Sequence, residues 1–175
     1  ITEDGKFTVT GKSVKSTLFS VPDCQAIVKK AVVEKLKQKY HVSWFDETGA
    51  DYTIQVALLN DIATLTIDTS GGGLHKRGYR ETAMVAPLKE TLAAAMVDLS
   101  YWNKSRILLD PMCGSGTIPI EAALIARNIA PGLNRKFASE GWARIDSGIW
   151  KQARIDAYKA INYDVMPQIY GSDMD

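Results

Sequence analysis

Asp110-Pro111-Met112-Cys113-Gly114-Ser115-Gly116-Thr117 is the stretch whose residue types and spacing best suit ligand chemistry. It follows the run Arg106-Ile107-Leu108-Leu109 and precedes a helical pattern. That places it at the carboxyl end of a strand, where open α/β sheets bind ligands. Gly114 and Gly116 lack a Cβ, so a ligand can approach the backbone closely. A helix starting near Thr117 offers free amides and a positive dipole end, which suit a carboxylate or phosphate. Asp110 places a negative charge at the strand tip, suited to an ammonium or sulfonium group. Asp173 follows about 60 residues later, at the end of a second strand-like run. In dinucleotide-binding folds an acid at that place accepts hydrogen bonds from a ribose diol.

These signals also exclude. A G-x-G pair alone is weak, and an Asp after a strand commonly caps a turn. The G-x-G-x-x-G fingerprint needs glycine at position 119, which is Pro119, so NAD is disfavoured. No G-x-x-x-x-G-K-[ST] loop occurs, which disfavours an ATPase. Cys113 has no visible base to make it a nucleophile and reads as a small loop residue. His41, His75, Cys24 and Cys113 show no zinc-ligand spacing, so no metal is expected. A second candidate surface is Lys76-Arg77-Gly78-Tyr79-Arg80, where Lys76, Arg77 and Arg80 could neutralise phosphates. Tyr79 there reads as buried, and Trp142 and Trp150 read as packing anchors. The first 40 residues carry eight Lys against four acids, compatible with an RNA-facing surface and equally with a solvated helix face.

The elements that position these residues follow from periodicity. Phe7–Thr10 reads as a strand, and Pro22 opens an amphipathic helix to Tyr40, with Val28, Ala31, Val32, Leu36 and Tyr40 on one side. Tyr52, Ile54, Val56 and Leu58 alternate, as do Ala63, Leu65 and Ile67, with Asn60-Asp61 between them as a tight hairpin turn. Gly71-Gly72-Gly73 then breaks the pattern. Beyond it the sequence predicts a helix from Pro87 to Leu99 and a buried strand at 106–110. A helix through Ile118, Ala122, Ile125 and Ile129, ended by Pro131-Gly132, comes next, then a helix at 149–161 and a strand at 168–173. The fold class is α/β: a small α/β unit followed by the opening of a doubly wound sheet.

Composition fits this. The chain has 175 residues, net charge +1, 46% hydrophobic and 23% charged residues, which excludes a disordered or collagen-like chain. With so small a net charge, any nucleic-acid contact must come from a local patch. No apolar run is long enough to span a bilayer and no signal peptide is visible, so no membrane partner and a reduced, cytoplasmic setting are expected. The first residue is Ile1, not Met, which suggests a fragment or processed chain.

The glycine loop, with Ile120-Glu121-Ala122-Ala123 after it, resembles the S-adenosylmethionine motif of the THUMP-associated RNA methyltransferases. The resemblance is nearest to bacterial enzymes that methylate guanine N2 in large-subunit (23S) rRNA. It continues through Leu65-Thr66-Ile67-Asp68-Thr69-Ser70-Gly71, Leu74-His75-Lys76-Arg77-Gly78-Tyr79-Arg80, Ala86-Pro87-Leu88-Lys89-Glu90, Ala130-Pro131-Gly132 and Tyr170-Gly171-Ser172-Asp173. It implies that residues 1–72 are the later part of a THUMP RNA-binding domain, 73–85 a linker, and 86–175 the start of a class I (Rossmann-like) methyltransferase domain. It further implies S-adenosylmethionine as cofactor. Asp110, Pro111, Met112, Cys113, Gly114, Ser115, Gly116 and Thr117 would hold its methionine end and Asp173 its ribose. Pro87-Leu88-Lys89 either adds to that site or is a simple helix start. The family's catalytic Asn-Pro-Pro-aromatic motif is absent, since none of the six prolines follows an Asn, so this stretch alone is expected to be inactive. Two other readings stay open: a non-catalytic RNA-binding module, and a THUMP-type tRNA methyltransferase.

Overall fold

The computed structural model describes residues 1–80 and 88–174. The expected linker residues 81–85, the domain start at Ala86 and the expected helix start at Pro87 therefore lie outside the described residues. The chain forms two compact units: residues 1–71 with 137–146, and residues 72–136 with 147–175.

The first unit runs β1 (Lys6–Val14), α1 (Val21–Tyr40), β2 (Asp51–Leu59) and β3 (Ile62–Asp68). β1 and β2 are parallel, with Phe7 opposite Tyr52 and Val9 opposite Ile54, and β3 returns antiparallel along β2. The parallel pair needs a crossover, which α1 supplies. Asn60 and Asp61 turn the hairpin with φ of 49° and 62°, the left-handed pair that matches strand twist. The alternation in β2 buries Tyr52, Ile54, Val56 and Leu58. With Phe7, Val9 and Leu36 they make the core, against which Val28, Val32 and Tyr40 pack. The alternation in β3 buries nothing comparable: Leu65 is 62% exposed.

Residues 137–146 belong to this unit, although the sequence carries no local sign of it. The Trp142 ring stacks on Tyr52 with centroids 4.9 Å apart, and its indole N–H donates to the Asp51 carbonyl at 3.0 Å. A single-turn 3-10 helix, Ala138–Gly141, precedes it, and Ser139 Oγ donates to the Thr69 carbonyl.

The second unit contains α2 (Glu90–Leu99), β4 (Leu108–Asp110), α3 (Thr117–Ala126), α4 (Ser147–Lys159) and β5 (Ile169–Gly171). β4 and β5 pair in parallel, with Asp110 opposite Gly171. α2 packs on α3, and both bury small residues there, Ala93 and Ala122. Two expectations need correction. β4 is shorter than 106–110 and is not fully buried. Leu109 is 67% exposed, because it points away from the face that Leu108 and Asp110 share. α3 ends at Ala126 rather than at Pro131-Gly132. Asn128, at φ 53°, donates to the Ile125 carbonyl, and Ile129 donates to Leu124. That paired return satisfies the last carbonyls and stops the helix before the proline is reached. No helix among the described residues is long and apolar enough to cross a membrane.

Candidate functional site

β4 delivers Asp110 and the loop to the edge of the two-stranded sheet, and β5 delivers Asp173 beside it. Three bonds lace the two strand exits together. Ser172 N–H donates to the Asp110 carbonyl, Cys113 N–H to the Ser172 carbonyl, both at 3.0 Å, and Gly114 N–H to Asp173 Oδ2 at 2.7 Å. Residues 59 positions apart thus meet at one point, as the sequence reading requires of a loop and an acid serving one ligand. Asp110 Oδ1 accepts the Met112 N–H at 3.3 Å, which folds the loop back over the strand tip.

Gly114 and Gly116 have φ of 51° and 73°, and Gly116 caps α3 in that left-handed conformation. An L side chain pays strain of about 1–2 kcal/mol there. A Cβ added at Gly114 would meet no atom within 4 Å, so there is free room along this side of the loop. No side chain caps the first turn of α3, and Pro119 brings no amide, which leaves the N–H groups of Thr117 and Ile118 to an outside acceptor. Open room, amide donors at a helix start and two carboxylates, Asp110 and Asp173, fit a ligand with a carboxylate at one end, a cation near the middle and a diol at the other. S-adenosylmethionine has those groups. Of the expected contacts, Thr117 is buried at 3% exposure, Ser115 and Cys113 are half-buried, and Pro111, Met112 and Gly114 are exposed. Leu88 and Lys89 lie just before α2, and Pro87 falls outside the described residues.

The basic segment takes a different place from that expected. The structure turns the guanidinium groups of Arg77 and Arg80 inward to carboxylates, where phosphates could not displace them cheaply. Arg77 meets Glu121 at 3.3 Å, with the two side chains 12% and 2% exposed. Arg80 meets Glu90 at 3.4 Å, with 20% and 8% exposed. Tyr79 donates its hydroxyl to Glu121 Oε1 at 2.9 Å. Burial foremost, then the hydrogen bond to Glu121, pushes its phenol well above the ordinary range, so it remains a donor. Lys76 alone of the three cations is exposed. The Arg135 guanidinium donates to the carbonyls of Gly72, Gly73 and Lys76, which fixes the glycine-rich start of the segment. Sequence reasoning missed Glu121 and Glu90. Each sits in a helix where an acid reads as solvated, and only partners from residues 77–80 make burial affordable.

Gly78 lies flat against this unit at φ +87°, where a Cβ would come within 2.4 Å of the Asn134 carbonyl oxygen. Gly78→Ala is expected to destabilise by about 2–4 kcal/mol, from left-handed strain plus a backbone clash. Chemical denaturation read on the second unit checks it, and a loss below about 1 kcal/mol would contradict this packing.

Residues 77–175 match a family profile described as "RMKL-like, methyltransferase domain", and residues 1–68 match the THUMP domain. The chain belongs to the THUMP-bearing, RMKL-like methyltransferase family. It is 57% identical to the Bacillus subtilis (strain 168) protein named "Putative RNA methyltransferase YpsC", over 100% of this chain and 46% of that protein. A solved protein of Listeria monocytogenes str. 4b F2365, named a predicted N6-adenine-specific DNA methylase, superposes with TM-score 0.95 at 56% identity, covering 100% of this chain and 46% of that one. SMU.472, named a putative methyltransferase and solved complexed with SAH, gives TM-score 0.92 at 44% identity, covering 100% and 47%. The chain thus spans just under half the length of these relatives.

Proposed function

We propose that this chain is the RNA-recruiting and methyl-donor-binding part of an S-adenosylmethionine-dependent RNA methyltransferase. The methyl acceptor we propose is guanine N2 of large-subunit (23S) rRNA. Residues 1–72 would be the RNA module, 73–85 the connection and 86–175 the donor-binding part, with 137–146 packed into the first unit. The observation that carries this reading is the bond between Gly114 and Asp173, which joins the glycine loop to the acid at the end of the next strand. The SAH complex of SMU.472 supports the donor, and the THUMP match supports RNA over the DNA in the Listeria protein's name. Guanine N2 and the large-subunit rRNA rest on the motif resemblance.

When bound, S-adenosylmethionine supplies an activated methyl on a sulfonium that is already a good leaving group. The protein's part is then placement. The amides of Thr117 and Ile118 would hold the donor's carboxylate, Asp110 would face its cationic part, and Asp173 would take the ribose diol. Titration calorimetry of the intact protein with S-adenosylhomocysteine, a stable product analogue, tests the site. Asp110→Ala is expected to weaken binding about 10-fold or more, as the loss of a charged hydrogen-bonding group does. Undiminished binding would remove Asp110 from the site. Methyl transfer to protein-free 23S rRNA, tRNA and duplex DNA, with the modified nucleoside identified by mass spectrometry, tests the acceptor. Methylated adenine in DNA would overturn it.

A further inference from the structure

Arg80 is the one cation of the connecting segment that reaches the glycine loop. Its Nη1 pairs with Glu90 Oε1 at 3.4 Å and points at the Leu88 carbonyl at 3.5 Å. Its Nη2 donates to Ser115 Oγ at 3.2 Å and to Thr117 Oγ1. The two hydroxyls are 3.3 Å apart. One planar guanidinium therefore ties the start of α2 to Ser115 of the loop and to Thr117, the first residue of α3.

The hydrogen bookkeeping has one economical solution. Both hydroxyl oxygens accept from Arg80, so neither proton can point at it. Thr117 is buried, at 3% exposure, and a buried hydroxyl proton without an acceptor is costly. Either hydroxyl could donate across that gap; Thr117 donating to Ser115 is the arrangement that leaves no buried proton unpaired. The Ser115 proton is left over, on a half-buried residue of the loop, beside the uncapped amides of α3. Glu90 balances the charge of Arg80, so Arg80 contributes orientation more than attraction.

We propose that Arg80 is a positioning residue for the methyl donor: through Thr117 it fixes Ser115 as a hydrogen-bond donor to the carboxylate of the donor's amino-acid tail. This rests on the loop holding that tail, as proposed above. It assigns Arg80 a task inside the donor site in place of a phosphate contact. The chemistry needs Arg, because Lys could keep the ion pair with Glu90 but could not also bridge both hydroxyls.

Calorimetry on the intact protein compares S-adenosylhomocysteine with 5′-methylthioadenosine, which has the same nucleoside and thioether but no amino-acid tail. Arg80→Lys and Ser115→Ala are each expected to weaken S-adenosylhomocysteine binding about 10-fold. The double variant should be no weaker than either single one, and 5′-methylthioadenosine should bind all four proteins alike. Equal weakening of both ligands by Arg80→Lys would mean a general loop defect and would overturn the proposal. So would multiplicative losses in the double variant. Should Arg80→Lys fail to fold, Thr117→Val, which removes the relaying hydroxyl at nearly constant volume and leaves Ser115 in place, decides: loss confined to the tailed ligand supports the proposal, and no loss or equal loss overturns it. A wild-type protein that binds 5′-methylthioadenosine but gains nothing from the tail sinks the loop assignment itself, and the role of Arg80 with it.

Discussion

Glu121→Ala is expected to destabilise the second unit by about 3–5 kcal/mol, the usual consequence of removing one partner from a buried ion pair. Glu121 is 2% exposed and accepts from Arg77 Nε and Nη2 and from the Tyr79 hydroxyl. Its removal leaves a guanidinium that is 12% exposed without its counter-charge, and a phenol without an acceptor. Since a whole domain is stable by only about 5–15 kcal/mol, one such change can leave the unit largely unfolded. Glu121→Gln keeps the shape and one acceptor, so a smaller loss is expected. Replacing both Arg77 and Glu121 with Met and Leu should recover the part of the loss that comes from the stranded guanidinium, because an apolar pair carries no desolvation penalty, while Tyr79 still lacks its acceptor. Hydrogen exchange of the α3 amides is the suitable measurement, as it reports on this unit separately from the first. Unchanged protection in Glu121→Ala would show that the contact contributes nothing.

The second large effect concerns Asp173. Asp173→Ala is expected to weaken S-adenosylhomocysteine binding roughly 100-fold, about 2.7 kcal/mol, for two hydrogen bonds to a charged acceptor. Part of that loss would come from the loop, because Asp173 Oδ2 also holds the Gly114 amide at 2.7 Å. Asp173→Asn separates the two contributions: its remaining oxygen can still accept the Gly114 N–H, while the charge that grips the diol is gone. A 2′-deoxy form of the ligand provides the second check. Wild type should lose affinity for it, and Asp173→Ala should show no further loss. If the variant and wild type discriminate the two ligands equally, the ribose contact is refuted.

Much of this molecule was legible residue by residue. The β-α-β-β order of the first unit followed from alternation in β2 and β3 and from three- and four-residue steps in α1, because those periods decide which side chains share a face. The Asn60-Asp61 turn was legible because few residue pairs adopt two successive left-handed conformations. The turn at 110–117 was legible because an apolar strand run, two glycines and a helical pattern follow one another there, although a G-x-G pair alone is a weak sign of a ligand. The exit of α3 was misjudged because Pro131 is visible in sequence, whereas the return of Asn128 and Ile129 onto the last carbonyls is a matter of backbone geometry. The exposure of Leu109 was invisible because an apolar residue does not say whether anything covers it.

The α/β class, the βαββ order, the position of the glycine loop and the family are written in local periods or contiguous motifs, and so could be read without coordinates. The folded chain was needed to show that Arg77 and Arg80 pair with Glu121 and Glu90, that Asp173 holds Gly114, and that Trp142 returns to Tyr52. Those pairings join residues 10 to 90 positions apart, and whether a charge or a ring is buried depends on what the folded chain brings against it, which no local pattern encodes.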